Sequence, residues 1–151
     1  MRKGFSLLTA IIFIVLVATI AALSLSLSSS SAKQTSDIFL REQAELLLQS
    51  ATEYALLAIS AHDINATNTC LNTINMNYPD AAAPMFDINI SINYLGVNLP
   101  ATCQTLSGNT NNIVTSDSNV TVIIDTIVQT NTNTAMTTEP IRLHRRTLQK
   151  P

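Results

Sequence analysis

Charged and aromatic side chains are scarce in this chain. Only 12% of its residues are charged and 5% are aromatic, it has no tryptophan, and it has only three glycines. No glycine-rich phosphate-binding loop is present. No lysine or arginine occurs between Glu42 and Ile141. Because phosphate backbones bind to basic surfaces, we expect nucleic acid not to be a main partner.

Catalytic and metal-binding patterns are also missing. His62 and His144 are the only histidines, and neither lies in an HExxH arrangement. Asp80, Asp117 and Asp125 supply the oxygen ligands that calcium prefers, but they are scattered and form no recognisable loop. The sequence has no evident activated nucleophile or acid–base pair. It therefore predicts no enzyme, no cofactor and no metal site.

The chain has two cysteines, Cys70 and Cys103, and both follow the long apolar segment at the N-terminus. If this part of the chain is exported, we expect the two to form one disulfide. Two free buried thiols are the alternative. In the chain-entropy model, closing a loop of about thirty residues adds about 3–4 kcal/mol to the stability of the fold.

The longest apolar run lies at the N-terminus. Residues 5–27 carry no charge, and as a helix they would measure about 34 Å, enough to cross a hydrocarbon core. Arg2 and Lys3 precede the run, which predicts a cytoplasmic N-terminus and export of the chain from Lys33 onward. Three interpretations are open. They are a signal peptide cut after Ser30-Ser31-Ala32, an uncut single-pass anchor, and a prepilin.

The first residues read Met1-Arg2-Lys3-Gly4-Phe5-Ser6-Leu7-Leu8, which is a short basic leader ending in glycine, then phenylalanine and the apolar run. This start resembles the signal of type IV pilins and type II secretion pseudopilins, and the resemblance ends near residue 60. It implies that a prepilin peptidase cuts between Gly4 and Phe5 and methylates the new amine of Phe5. It also implies retention of the helix in the bacterial inner membrane lipid bilayer, a periplasmic C-terminal domain, and assembly with other pilins or pseudopilins by an inner-membrane platform.

One position departs from the family pattern. Most members have glutamate at the fifth mature position, where it is thought to pair with the amine of the preceding subunit, and here that position is Thr9. A carboxylate is unfavourable within a membrane and normally marks a function. A subunit that starts a filament has no predecessor, so Thr9 resembles the K-type pseudopilin and certain minor pilins. It implies a role in initiating or capping a filament; divergence or weak incorporation is the alternative.

A helical pattern continues beyond the membrane segment. Apolar residues recur there at intervals of three and four and predict one face of an amphipathic helix over residues 28–60: Leu40, Ala44, Leu47, Ala51, Tyr54 and Ala58. Asp37, Arg41 and Glu45 are four residues apart, and we expect favourable charge pairs between them. No glycine or proline interrupts residues 5–60, although residues 28–31, all serine, could form a linker instead.

Residues 61–151 predict a small β-rich domain. Apolar and polar side chains alternate over residues 86–94, which indicates a half-buried strand. Residues 119–129 and 141–149 predict two more strands, with loops at residues 107–112 and 131–134. The predicted fold is therefore α+β, a long N-terminal helix packed on a small antiparallel sheet. Its parts are a leader (residues 1–4), a transmembrane segment (5–27), an amphipathic helical segment (28–60) and the β-rich domain.

The last predicted strand is basic. Alternation predicts that Arg142, His144 and Arg146 share one face. This face could contact DNA, and the alternative function is therefore a pilus-tip adhesin or DNA-capture subunit. An acidic surface of a partner subunit, or solvent, would satisfy the same side chains.

Three Asn-x-Ser/Thr triplets begin at Asn65, Asn89 and Asn119. An aspartate precedes each asparagine by two positions, at Asp63, Asp87 and Asp117, and the chain has only six aspartates. The extended pattern resembles the acceptor of bacterial oligosaccharyltransferases, which act in the periplasm, and it predicts N-glycosylation. The alternative is that an asparagine-rich sequence generates such triplets by itself.

Overall fold

The chain forms a long helix and a four-stranded antiparallel sheet in the computed structural model, so the predicted α+β fold is confirmed. The structure describes residues 3–97, 99–106, 120–131 and 139–151. Contacts within the chain divide it into two compact units, Met1–Phe39 and Leu40–Pro151.

Helix α1 runs from Lys3 to Ala61 without a break. The four serines at 28–31 lie inside it, so the linker alternative is wrong. Hydroxyl side chains in this region donate to backbone carbonyls within the helix, as the Ser24 hydroxyl does to the Ile20 carbonyl (2.9 Å) and the Thr35 hydroxyl to the Ser31 carbonyl (3.0 Å). Because these donors are satisfied locally, serine and threonine do not interrupt the helix.

A short connection follows the long helix. Helix α2 comprises Ile64–Thr67, and Asn68 after it has a positive φ of 53°. Asparagine tolerates this left-handed conformation, which commonly ends a helix. The chain then turns into the sheet.

The sheet consists of β1 (Thr73–Tyr78), β2 (Phe86–Gly96), β3 (Val120–Thr130) and β4 (Arg142–Gln149), in that spatial order. Each strand is antiparallel to its neighbour. The three predicted strands are confirmed within two residues at each end, whereas β1 was not predicted. Its six residues are half asparagine or threonine, so its period-two pattern is short and weak.

The alternation of side chains separates two faces of the sheet. One face packs on α1, and the buried side chains of α1, β2 and β3 form a single core: Leu40, Ala44, Leu48, Ala51, Ala55, Ile59, Phe86, Ile88, Ile90, Ile92, Tyr94, Val122, Ile124 and Val128. A hydroxyl pair also lies in this core, with Thr52 Oγ1 at 3.2 Å from Thr126 Oγ1. Thr52 donates to the Leu48 carbonyl at 2.9 Å, so its bond with Thr126 uses the Thr126 proton.

The buried face of α1 differs from the predicted one. Tyr54 is 51% exposed, and Leu47 and Ala58 are only partly buried, while Leu48, Ala55 and Ile59 occupy the core. At about 100° per residue, the observed face is rotated by about 50° from the predicted stripe. Ala44 and Ala51 belong to both faces, so the pattern alone does not choose between them, and packing of Leu48, Ala55 and Ile59 on the sheet selects the observed face.

The charge pairs predicted along the helix are absent. The structure shows ion pairs within 4.0 Å between Asp125 and His144 and between Asp125 and Arg146. Asp37, Arg41 and Glu45 take part in none of them. Arg41 and Glu45 are exposed, and pairing two long solvated side chains gains little free energy.

Candidate functional sites on the helix and the sheet

The apolar segment of α1 is exposed along its whole length. The large side chains from Leu7 to Leu27 are all more than half exposed, as Phe13 (70%) and Leu25 (73%) illustrate. Thr19 Oγ1 donates to the Leu16 carbonyl at 2.8 Å, so this hydroxyl needs no water. By length and composition, α1 is the one helix among the described residues that could cross a membrane.

The predicted processing positions lie at the start of this helix. The Gly4–Phe5 bond is in the first turn of α1, and the side chain of Phe5 is outside the described residues. Thr9 follows one turn later and is exposed. The fifth position after the predicted cut therefore presents a hydroxyl, not a carboxylate.

The predicted disulfide is present. Cys70 and Cys103 are bonded, with their Cα atoms 4.8 Å apart. The bond ties the segment before β1 to the segment after β2. Asn72 reinforces this contact, because its Nδ2 donates to the Thr102 carbonyl (2.8 Å) and its Oδ1 accepts from the Gln104 N–H (2.9 Å).

Tyr94 of β2 also contacts the segment that contains Cys70. Its ring is fully buried, and its hydroxyl donates to the Leu71 carbonyl at 2.9 Å. Burial raises the pKa of this phenol above its ordinary value, and the hydrogen bond partly offsets the rise. The disulfide, Asn72 and Tyr94 thus join the segment before β1 to β2 and to the segment after it.

The basic face of β4 has an acidic partner on the neighbouring strand β3, and the sequence did not reveal this pairing. Arg142, His144 and Arg146 are exposed on one face, as predicted from alternation. Asp125 of β3 faces them, and its carboxylate accepts from Arg146 Nε (2.7 Å) and Arg146 Nη2 (2.9 Å). His144 Nε2 lies 3.0 Å from the same carboxylate. Two of the three basic side chains are therefore engaged within the sheet.

The electrostatics of this cluster follow from its geometry. The hydrogen bonds from Arg146 lower the pKa of the Asp125 carboxyl, and this effect exceeds the opposing effect of partial burial. The carboxylate in turn raises the pKa of Arg146. In the sequence, Asp125 was one of three scattered aspartates with the oxygen ligands that calcium prefers. Only the strand register brings it beside Arg146.

The three asparagine triplets occupy different environments. Asn89 is exposed in the central strand β2, and its Nδ2 donates to Asn75 Oδ1. Asn65 lies in α2, with its side chain outside the described residues, and Asn119 and Asp117 are outside them altogether. Asp87 is held by amides, because Asn77 Nδ2 (2.8 Å) and Asn131 Nδ2 (2.9 Å) both donate to its carboxylate.

A shallow groove of about 740 Å³ lies between α1 and the edge strand β1. The side chains around it come from one face of α1 and the last residue of β1: Gln43, Leu46, Leu47, Gln49, Ser50, Glu53 and Tyr78. Leu46 is 68% exposed beside it. The groove holds no cluster of acid–base groups.

Comparisons with known proteins add no relative. No protein-family model, no curated protein and no solved structure matches this chain. The arrangement of a long N-terminal apolar helix with a small antiparallel sheet is consistent with a pilin-like fold. Among the described residues, no group of three histidine, cysteine, aspartate or glutamate side chains could hold a metal ion.

Proposed function

We propose that this chain is a minor pilin or pseudopilin, a structural subunit that helps to initiate or cap a type IV pilus or a type II secretion pseudopilus. In this proposal, a prepilin peptidase cuts the leader after Gly4 and methylates Phe5. An inner-membrane platform then assembles the chain with other pilins or pseudopilins. The apolar part of α1 resides in the bacterial inner membrane, and the sheet lies in the periplasm.

The observation that carries the proposal is the dual character of α1. Its large side chains are exposed and apolar from Leu7 to Leu27, whereas one face is buried against the sheet from Leu40 to Ile59. A signal peptide that is removed would not need to continue into the core of the folded domain. A helix shared by the membrane and the domain is what a filament subunit requires, because the same helix can exchange lipid for neighbouring subunits.

A second feature supports lateral contacts. Leu46 (68% exposed) and Leu57 (67% exposed) lie on the side of α1 that faces away from the core, eleven residues or about three turns apart. Each leucine offers an apolar contact point on this face, with the exposed Ser50 and Glu53 between them. The groove beside Leu46 continues this surface toward Tyr78.

The basic face gives less support to a DNA-capture role. Asp125 already binds Arg146 and lies beside His144, which leaves less uncompensated charge for phosphate. Substitution of Arg142, the member of this face that is not hydrogen-bonded to Asp125, by glutamine should therefore leave filament number and DNA uptake close to wild type. Loss of DNA binding with normal filaments would instead favour the capture subunit.

The mature N-terminus tests the proposal directly. The full chain is isolated from native membranes and its intact mass and N-terminal peptide are measured. We expect the chain to begin at N-methylated Phe5. The matched control is Gly4→Val, which should retain Met1 because a branched side chain replaces the glycine at the cleavage site.

Two outcomes contradict the proposal. A start at Lys33 would identify a removed signal peptide and a free exported domain. An unprocessed wild-type chain in membranes that process other prepilins would identify a simple membrane anchor.

A further inference from the structure

We propose that Asn65 is an N-glycosylation site and that Asn89, in the same extended sequence pattern, is not. Both asparagines follow an aspartate by two residues and precede a hydroxyl residue by two. The ligand class is an oligosaccharide carried on a polyprenyl diphosphate. The inference rests on the proposed placement of the C-terminal domain outside the cytoplasm.

Asn89 is inaccessible to a transferase because its strand is paired on both sides. It lies in β2 between two strands, opposite Asn75 of β1 and Ile127 of β3. The hydroxyl residue of its triplet, Ser91, is opposite Thr73 and Asp125 in the same way. A transferase that must bind the triplet as a free segment would have to remove β2 from both neighbours, which amounts to unfolding the core.

Asn65 lies outside the ladder, in the connection between α1 and β1. Helix α2 is four residues long, and the Thr67 N–H to Asp63 carbonyl bond (3.1 Å) and the Asn68 N–H to Ile64 carbonyl bond (2.9 Å) hold it. A single turn is marginal by itself, because nucleation fixes several residues for few hydrogen bonds. Residues 64–67 belong to no strand, so opening this turn breaks no hydrogen bond between strands, although it moves Ile64, which packs against the core.

The flanking residues of the Asn65 triplet are accessible. Asp63 and Thr67 are both exposed. The Thr67 hydroxyl donates to the Asp63 carbonyl at 2.8 Å, a bond within the turn itself. Opening α2 therefore separates the Thr67 hydroxyl from the Asp63 carbonyl and extends the segment that carries the acceptor pattern.

The transfer step balances without an external oxidant or reductant. Asn65 Nδ2 forms a C–N bond with the anomeric carbon of the donor sugar. The bond from that carbon to the diphosphate oxygen breaks, and the polyprenyl diphosphate leaves with the electron pair. The amide loses one proton to a base of the transferase.

The test uses the full chain from its native host, in an Asn119→Gln background so that only the two described triplets remain. After reduction of the disulfide, chymotrypsin is the appropriate protease, because no lysine or arginine lies between Glu42 and Ile141. We expect an oligosaccharide mass on the peptide with Asn65 and none on the peptide with Asn89. Asn65→Gln should abolish the added mass, and Asn89→Gln should leave it unchanged.

A matched pair at Thr67 separates enzyme recognition from a change in folding. Thr67→Ser keeps the hydroxyl and should retain the glycan, whereas Thr67→Ala should lose it. Absence of any glycan on Asn65, or a glycan on Asn89, would overturn the inference. Mature Phe5 is read from the intact mass of the undigested chain in the same preparation, so a processed but unglycosylated chain rejects this inference while leaving the proposed function intact.

Discussion

At the residue scale, Asp125 links two strands on the polar face of the sheet. It joins β3 to the edge strand through Arg146 and His144, and only 13% of its side chain is exposed. A carboxylate in such a position would be unfavourable alone, and the hydrogen bonds from the Arg146 guanidinium compensate it, with His144 Nε2 beside it at 3.0 Å. The cluster therefore stabilises the pairing of β4 and reduces the charge that this edge presents to other molecules.

Stability should depend on pH through this carboxylate. Its native pKa is lowered from the ordinary value of 3.8, so its contribution is present above that value and is lost as pH falls through the native pKa. We expect Asp125→Asn to lower the melting temperature near pH 7 and to show a smaller loss than wild type as pH falls below 3.8. Thermal unfolding followed by circular dichroism in detergent measures both curves.

The control for this experiment is Glu42→Gln. Glu42 is exposed and belongs to no ion pair among the described residues. Its acid-induced loss of stability should match wild type. If Asp125→Asn and wild type lose the same number of degrees in acid, the cluster does not stabilise the fold.

Thr9 tests the role within a filament. A glutamate in a membrane helix needs a partner, and a first subunit has no preceding amine to provide one. We expect Thr9→Glu to reduce the number of filaments per cell, whereas Thr9→Val should leave it unchanged. Filaments are counted by electron microscopy, with the chain's membrane abundance measured in parallel. An increase in shaft incorporation of the Thr9→Glu chain would instead identify Thr9 as the cause of weak incorporation.

At the scale of elements, three alanines line the contact between α1 and the sheet. Ala44, Ala51 and Ala55 are at most 2% exposed, and they face the large side chains of β2 and β3. Small residues shorten the distance between the helix axis and the sheet, and the larger Leu40, Leu48 and Ile59 fill the space around them.

A larger side chain at this contact should be poorly tolerated. Ala55→Leu inserts three carbon atoms where the surrounding core has no space, and we expect it to lower the free energy of unfolding by about 1–3 kcal/mol. Leu57→Ala is the matched control on the same helical turn, because Leu57 is 67% exposed. Its effect should stay within about 0.5 kcal/mol. Equal losses in the two variants would show that Ala55 is not at a close contact.

At the scale of the folded domain, the disulfide compensates for a small core. Cys70 and Cys103 are separated by 33 positions, and the loop between them contains β1 and β2. A domain of this size buries only a modest apolar area, so constraining the unfolded chain contributes a large share of its net stability.

Loss of the disulfide should be strongly destabilising. In the chain-entropy model, we expect Cys70→Ser combined with Cys103→Ser to lower the free energy of unfolding by about 3–4 kcal/mol. Chemical denaturation of the full chain in detergent measures this difference. Wild type under reducing conditions should coincide with the double variant, and a reduced wild type as stable as the oxidised form would contradict the prediction.

Local patterns in the sequence were enough to predict β2, β3, β4 and α1. The strands follow from side chains that alternate along the chain, and the helix follows from the long apolar run and the helical spacing after it. These elements bury one face or cross a hydrocarbon layer, so their side chains repeat along the chain. Strand β1 was missed because it is short and rich in asparagine. The predicted buried face of α1 is rotated by about 50° about the helix axis from the observed one. Alanine is apolar enough for either face, so only packing against the sheet selects the face that is buried.

The sequence by itself determined the membrane-length apolar helix and the α+β fold, because composition and local periodicity control these features. It left the two cysteines either as one disulfide or as two free thiols, and the fold decides this by bringing their Cα atoms to 4.8 Å. Tertiary structure alone decided that Asp125 binds Arg146 and that Asn89 lies in a central strand while Asn65 lies in a short turn. Register between strands that are distant in sequence sets these neighbours, and no local pattern in an asparagine-rich chain specifies that register.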